Sequence, residues 1–219
     1  MALKRITVLL SGRGSNFAAI VEATRDPRFP GVVTHVISNR ASAAGLVLAR
    51  SLGIAASVVD HAAFASREAF DHALAAAVDA GAPDLVVLAG FMRVLTPGFV
   101  ARYEGRLLNV HPSLLPAYPG LHTHRRALAD GVKVHGCTVH FVTPAVDLGP
   151  IVAQAAVPVH PDDDEATLAS RVLAEEHRVL PAAVGWFCAG RLALHGGRVR
   201  VQDEEFPAAA LVVPSLAPI

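Results

Sequence analysis

Short apolar runs at a steady interval constrain this chain more than any other feature. Residues 6–10, 32–38, 55–59, 85–88 and 107–110 are mostly apolar and carry almost no charge. Segments of helical period, residues 16–23, 43–52 and 67–80, separate the first four of them. Strands without apolar–polar alternation, joined by helices, are what a parallel sheet covered on both faces requires. The first half therefore reads as a doubly wound α/β unit. Local signals agree: Ser66 is placed to cap the third helix, and Gly53 and Gly81 to end the second and third.

The second half changes character. Residues 111–120 hold Pro112, Pro116 and Pro119 and read as an ordered loop. Residues 134–142 alternate, which suits an antiparallel or edge strand, and residues 151–157 form another. Asp162, Asp163, Asp164 and Glu165 precede a long helical pattern over 166–186, where acidic groups favour the helix dipole rather than a metal. Pro181 is expected to kink or interrupt that helix. Residues 192–195 and 199–202, joined by Gly196 and Gly197, read as a closing hairpin. No repeat or linker appears, so residues 1–202 are expected to form a single domain, with 203–219 a weakly ordered tail.

Composition narrows the function classes. The chain has 219 residues, with 19 Lys+Arg balanced by 19 Asp+Glu, and 53% are hydrophobic. A chain of this length buries roughly 70% of its unfolded surface, enough to fold without disulfides or a structural metal. Zero net charge argues against nucleic acid and anionic membranes as partners. Cys137 and Cys188 lack CxxC spacing and read as buried thiols of a reducing compartment. The first apolar run ends at Ser11, too soon for a signal peptide or a membrane span, so the expected location is cytoplasmic.

Two motifs carry chemistry. The first strand runs into Ser11-Gly12-Arg13-Gly14-Ser15-Asn16 and then a helix. Such a loop turns tightly and exposes N–H groups at a helix N-terminus, which suits an anion. A dinucleotide fingerprint needs a third Gly where Phe17 stands, and an acidic residue where Ser38, Asn39 and Arg40 follow strand two. A Walker A loop needs a Lys that is absent. A single-phosphate site remains, with Ser15 and Asn16 as added donors, beside the plainer reading of a strand–helix turn. The second motif is Asn109-Val110-His111-Pro112 at the end of the fifth strand. Asn109 and His111 share a strand face where parallel sheets place ligands. An amide can donate to an oxyanion and an imidazole can exchange protons. Asp147, on a Gly/Pro loop, can favour a charged imidazole or act only as a turn former.

Several motifs occur in order: Ser11 to Asn16, Val87-Leu-Ala-Gly-Phe-Met-Arg93, Asn109 to Pro116, Tyr118-Pro-Gly-Leu-His-Thr-His124, and Asp147-Leu-Gly-Pro-Ile151. Together, over roughly residues 5 to 195, the chain resembles the folate-dependent phosphoribosylglycinamide formyltransferases. The resemblance implies formyl transfer from 10-formyltetrahydrofolate, a co-substrate, to the glycinamide amine, without a metal. It implies Asn109, His111 and Asp147 as catalytic residues, and Gly14, Ser15, Asn16 and Glu176 as ribonucleotide-binding. Arg67, Met92, Arg93, Val94, Leu95 and Asn109 would bind folate, with Leu88 and Phe91 as further apolar walls and the two arginines facing glutamate carboxylates. Arg13, and Thr143 to Val146, depart from the family's usual residues. The expected partners are small molecules, with the chain a monomer or homodimer.

Four rival readings follow. A formyltetrahydrofolate hydrolase would share the Asn–His–Asp chemistry but use water, and is expected to carry an N-terminal extension. A methionyl-tRNA formyltransferase would need a second, basic domain. A mononucleotide- or folate-binding module would need the loop but not the trio. A zinc hydrolase would draw on His122, His124, His135 and His140, which lack ligand carboxylates at helical spacing.

Overall fold

A computed structural model describes residues 2–203, 205 and 211–214. The chain alternates β1 (Lys4–Leu10), α1 (Ser15–Ala23), β2 (Gly31–Ser38), α2 (Ala44–Ser51), β3 (Ala55–Val58), α3 (Arg67–Ala80), β4 (Leu85–Leu88), α4 (Pro97–Arg102) and β5 (Leu107–His111). It continues with α5 (Thr123–Ala129), β6 (Val134–Phe141), β7 (Ile151–Pro158), α6 (Glu165–Cys188), β8 (Leu192–His195) and β9 (Arg198–Val201). Seven strands form one sheet in the order β3-β2-β1-β4-β5-β6-β7. The first five are parallel, and β6 and β7 add antiparallel to that edge. This is the doubly wound, mostly parallel α/β architecture that the patterning predicts. The closing hairpin, β8 with β9, makes a separate two-stranded sheet. Most of the expected tail, 203–219, lies outside the described residues.

The unalternating strands are buried on both sides because successive side chains enter two different cores. Ile6, Val8 and Leu10 of β1 join Phe17, Leu46, Leu180 and Val184 under α1, α2 and α6. Leu9 points the other way, with Val86 and Leu88, onto Phe70, Leu74 and Val78 of α3. Each fully buried side chain of this size contributes roughly 1.5–3 kcal/mol. The Ser66 cap is observed, its hydroxyl accepting from Ala69 N at 3.1 Å. Asp164 caps α6 by accepting from Thr167 N at 2.7 Å, so the acidic run begins a helix as expected.

Pro181 does not interrupt α6, which runs unbroken for 24 residues. Proline removes one hydrogen bond and costs about 3 kcal/mol. Leu180, Pro181, Ala183 and Val184 are all buried there, and their packing offsets that loss. α4 and α5 escape the sequence reading because six and seven residues are too short to establish a period. Among the described residues, no helix is long and apolar enough to cross a membrane. The strand order reverses between β1 and β4, and the crevice beyond their carboxyl ends is where such sheets bind ligands.

Candidate active site

Two adjoining cavities open at this crevice. The first, about 730 Å³, is walled by the loop from Ser11 to Asn16, by Arg40, and by Ser170, Leu173 and Glu176 of α6. The loop has its shape because Gly14 adopts φ 80° as the cap of α1. A Cβ there would lie 2.8 Å from Gly45 Cα, so only glycine lets α1 and α2 begin this close together. Ser11 fixes the loop's base: its hydroxyl donates to Asn39 Oδ1 at 2.6 Å and accepts from Met92 N at 2.8 Å.

Gly14, Ser15, Asn16 and Glu176 line this cavity together. Asn16 Nδ2 donates to Glu176 Oε2 at 2.6 Å, and its Oδ1, buried, has no partner. The second N–H of the Asn16 amide is not used by this bond. Burial raises the pKa of Glu176, while the Asn16 hydrogen bond opposes that rise.

The second cavity, about 490 Å³, is lined by Leu88, Phe91, Met92, Arg93, Val94 and Leu95 on one side and by Asn109, His111, His140 and Asp147 on the other. Asn109 and His111 project at the exit of β5, and His111 is 6% exposed. His111 Nε2 donates to the Tyr118 carbonyl at 2.9 Å, and Nδ1 lies 3.5 Å from Asp147 Oδ2. Both ring nitrogens thus face acceptors. Asp147 Oδ2 also accepts from Gly120 N at 2.8 Å. The proline loop is consequently part of the site: Ser113 Oγ donates to Ala117 O at 2.6 Å, and Thr138 Oγ1 to Ser113 O at 2.7 Å.

His140 is the functional neighbour that sequence reasoning missed, having appeared there only as a metal candidate. It is the antiparallel partner of Asn109 in the β5–β6 register. Its Nδ1 must donate to the Phe141 carbonyl at 2.9 Å, since a carbonyl can only accept. Burial lowers the pKa of His140, and because the Asn109 amide N–H can only donate, Nε2 turns a lone pair toward it. That lone pair accepts from Asn109 Nδ2 at 3.1 Å and fixes which way the amide faces. The strand pairing that carries this contact was not legible from β5 alone.

Arg67 reaches the apolar segment of the second cavity. Its Nη2 donates to the Val94 carbonyl at 2.7 Å, bracing the segment that lines that cavity. Arg93 lines the second cavity and stacks over Phe70 at 5.1 Å. Gly149 explains the Asp147 motif: a Cβ there would meet Phe141 O at 1.7 Å. Among the described residues, no group of three His, Cys, Asp or Glu could hold a metal ion.

The sequence profile of the formyl transferase family matches residues 4–184. Phosphoribosylglycinamide formyltransferase of Escherichia coli (strain K12) is 50% identical over 202 residues, which cover 92% of this chain and 95% of that protein. The trifunctional purine biosynthetic protein adenosine-3 of Drosophila melanogaster is 50% identical over 190 residues, covering 85% of this chain but 14% of that longer protein. The crystal structure of glycinamide ribonucleotide transformylase 1 from Symbiobacterium toebii superposes with a TM-score of 0.89 at 53% identity, covering 92% of this chain and 95% of that one. A family match over residues 4–184, with 50% identity along nearly the full length of the Escherichia coli relative, shows that the chain belongs to the formyl transferase family.

Proposed function

We propose that this protein transfers the formyl group of 10-formyltetrahydrofolate to the amine of 5-phosphoribosylglycinamide, in purine biosynthesis. The names of its relatives support the reaction. The observation that carries it is the placement of Asn109 and His111 where the two cavities meet. Gly90, Met92, Val110, Pro112 and His124 line both cavities, so two substrates can face one another across the β5 exit.

The substrate supplies its own nucleophile. Its amine attacks the formyl carbon, and the carbonyl oxygen takes up the electron pair as an oxyanion. Asn109 keeps one amide N–H on His140 and turns the other toward that oxyanion. Both ring nitrogens of His111 face protein acceptors, Nε2 the Tyr118 carbonyl and Nδ1 Asp147, so the imidazole exchanges one of these contacts for the substrate during turnover. Collapse of the adduct breaks the bond to folate N10, which takes a proton as the amine gives one up. His111 is the donor to N10, and Asp147 orients the imidazole and keeps it charged. Each donor to the oxyanion is worth about 10²–10³ in rate. No step calls on a metal.

Gly14 and Ser15 take the phosphate, and Asn16 with Glu176 the ribose. The Met92–Leu95 segment, supported by Arg67, takes the folate ring, with Arg93 near its carboxylates. Residues 1–202 serve as one catalytic domain, working in the cytoplasm on small molecules rather than nucleic acid or membranes, as a monomer or homodimer. The test is to offer formyl-folate with and without glycinamide ribonucleotide. Loss of formyl-folate matched by formylglycinamide ribonucleotide supports the reading. Formate release independent of the ribonucleotide would identify a hydrolase, and binding without turnover a carrier module.

A further inference from the structure

We propose that Arg13 and Arg40 form a two-armed cationic clamp on the phosphate of the ribonucleotide, an inference that rests on the reaction proposed above. The phosphate loop lacks a lysine, and the N-terminus of α1 supplies only about half a positive charge. A phosphomonoester carries about −1.5 to −2 at neutral pH. The remaining charge has to be met from neighbouring loops. Arg13 and Arg40 are exposed residues on the wall of the first cavity, one from the loop after β1 and one from the end of β2. Among the described residues, neither guanidinium has a hydrogen bond or ion pair, so each is available to a ligand.

Their separation is fixed from below. Ser11 and Asn39, two residues before Arg13 and one before Arg40, are joined by the 2.6 Å hydrogen bond. Gly45 N donates to Gly12 O at 3.1 Å, which ties the second loop to the first. The backbone contact of Gly14 with Gly45 leaves no room for the loops to slide. Nothing in the cavity neutralises the pair: its one lining carboxylate is Glu176, whose Oε2 is engaged by Asn16. Two guanidinium groups on a braced base, beside N–H donors, match a phosphate dianion in charge, and each guanidinium fork suits a pair of phosphate oxygens.

The experiment compares Arg13→Gln, Arg40→Gln and the double variant with the unaltered protein. Each single change is expected to raise the ribonucleotide KM about tenfold, as the loss of one charge-assisted phosphate contact does, and the double change about a hundredfold. The KM for formyl-folate and kcat at saturation stay within about twofold, and Arg13→Lys recovers part of the loss. The ribonucleotide KM of the unaltered protein rises with ionic strength, and that of the double variant hardly responds, because exposed charges are screened. A double variant whose ribonucleotide KM stays within twofold overturns the clamp, as does an equal rise in the formyl-folate KM, which would mark a structural role. Calorimetric titration with inorganic phosphate reads the clamp without turnover. Phosphate binding that the double variant loses upholds it even where no formyl transfer occurs, and phosphate binding that the variant keeps refutes it.

Discussion

A single methyl group at Gly149 should separate the trio's geometry from its chemistry. In Gly149→Ala the new Cβ would stand 1.7 Å from Phe141 O and 3.3 Å from His140 Nδ1. Ordinary contact begins near 3.4 Å, so the loop must retreat by the difference, about 1.7 Å. Asp147, two residues earlier, is held by one 2.8 Å bond from Gly120 N and stands 3.5 Å from His111. A retreat of that size carries both beyond hydrogen-bond range. Misplacing a catalytic group by about 1 Å costs about 10²-fold in rate. Overpacking costs roughly 1–3 kcal/mol, and in a chain of this length each kcal/mol lowers Tm by about 2–4 °C. Steady-state kinetics, a thermal melt and ribonucleotide titration are the assay. We expect kcat to fall about 10²-fold, Tm to drop by a few degrees, and ribonucleotide affinity to hold within about twofold, because the β1 loop is untouched. Gly98→Ala is the control: its Cβ meets nothing within 4 Å, and alanine in α4 should be neutral or slightly stabilising. Gly149→Ala with unchanged kcat and Tm would refute the claim that this close approach sets Asp147.

Asp147→Asn keeps a residue that tolerates φ 55° and removes only the charge, so turnover should fall about 10²–10³-fold while ribonucleotide affinity holds; full turnover would sink the role of Asp147. His111→Ala should behave alike in the same assay. His140→Ala leaves the Asn109 amide without its acceptor and should cost about tenfold in kcat with little change in either KM, whereas an unchanged kcat would show that Asn109 needs no such anchor. Arg67→Ala should raise the formyl-folate KM by loosening the Val94 backbone, and a rise in the ribonucleotide KM instead would contradict its placement. Burial holds the pKa of His135 down at about 4, below its ordinary 6.5. Between those values the unfolded chain binds the extra proton, so the contribution is complete above about pH 6.5 and drains away as pH falls to 4, by at most about 3 kcal/mol. Urea melts at pH 7.5 and 4.5 should show this loss, and His135→Gln should lose less between the same two values.

Much of the molecule was legible before its shape was known. The unalternating runs placed the strands because a residue buried from both faces leaves no polar position in the pattern. Ser66, Gly53 and Asp164 marked helix ends because capping is a local hydrogen-bond problem. The glycine loop and the Asn–His pair could be read because each is contiguous in sequence and each needs particular residue types. Pro181 misled because its local penalty is real but smaller than the packing around it.

The parts that were not legible depend on residues far apart in the chain. Nothing near Asn16 in the chain shows that its amide bonds Glu176, 160 residues away. His140 looks like one of several scattered histidines until the β5–β6 register sets it against Asn109. Nothing near Arg67 in the chain shows that its guanidinium reaches the Val94 carbonyl. By itself the sequence determined the doubly wound sheet, and it placed the glycine loop and the Asn–His pair at strand exits, since periodicity, capping and residue chemistry act over a few neighbours. Only the tertiary structure decided which polar groups satisfy one another. A buried donor must be matched by whatever acceptor the folded backbone brings within about 3 Å, and that acceptor is chosen by strand order and register rather than by proximity along the chain.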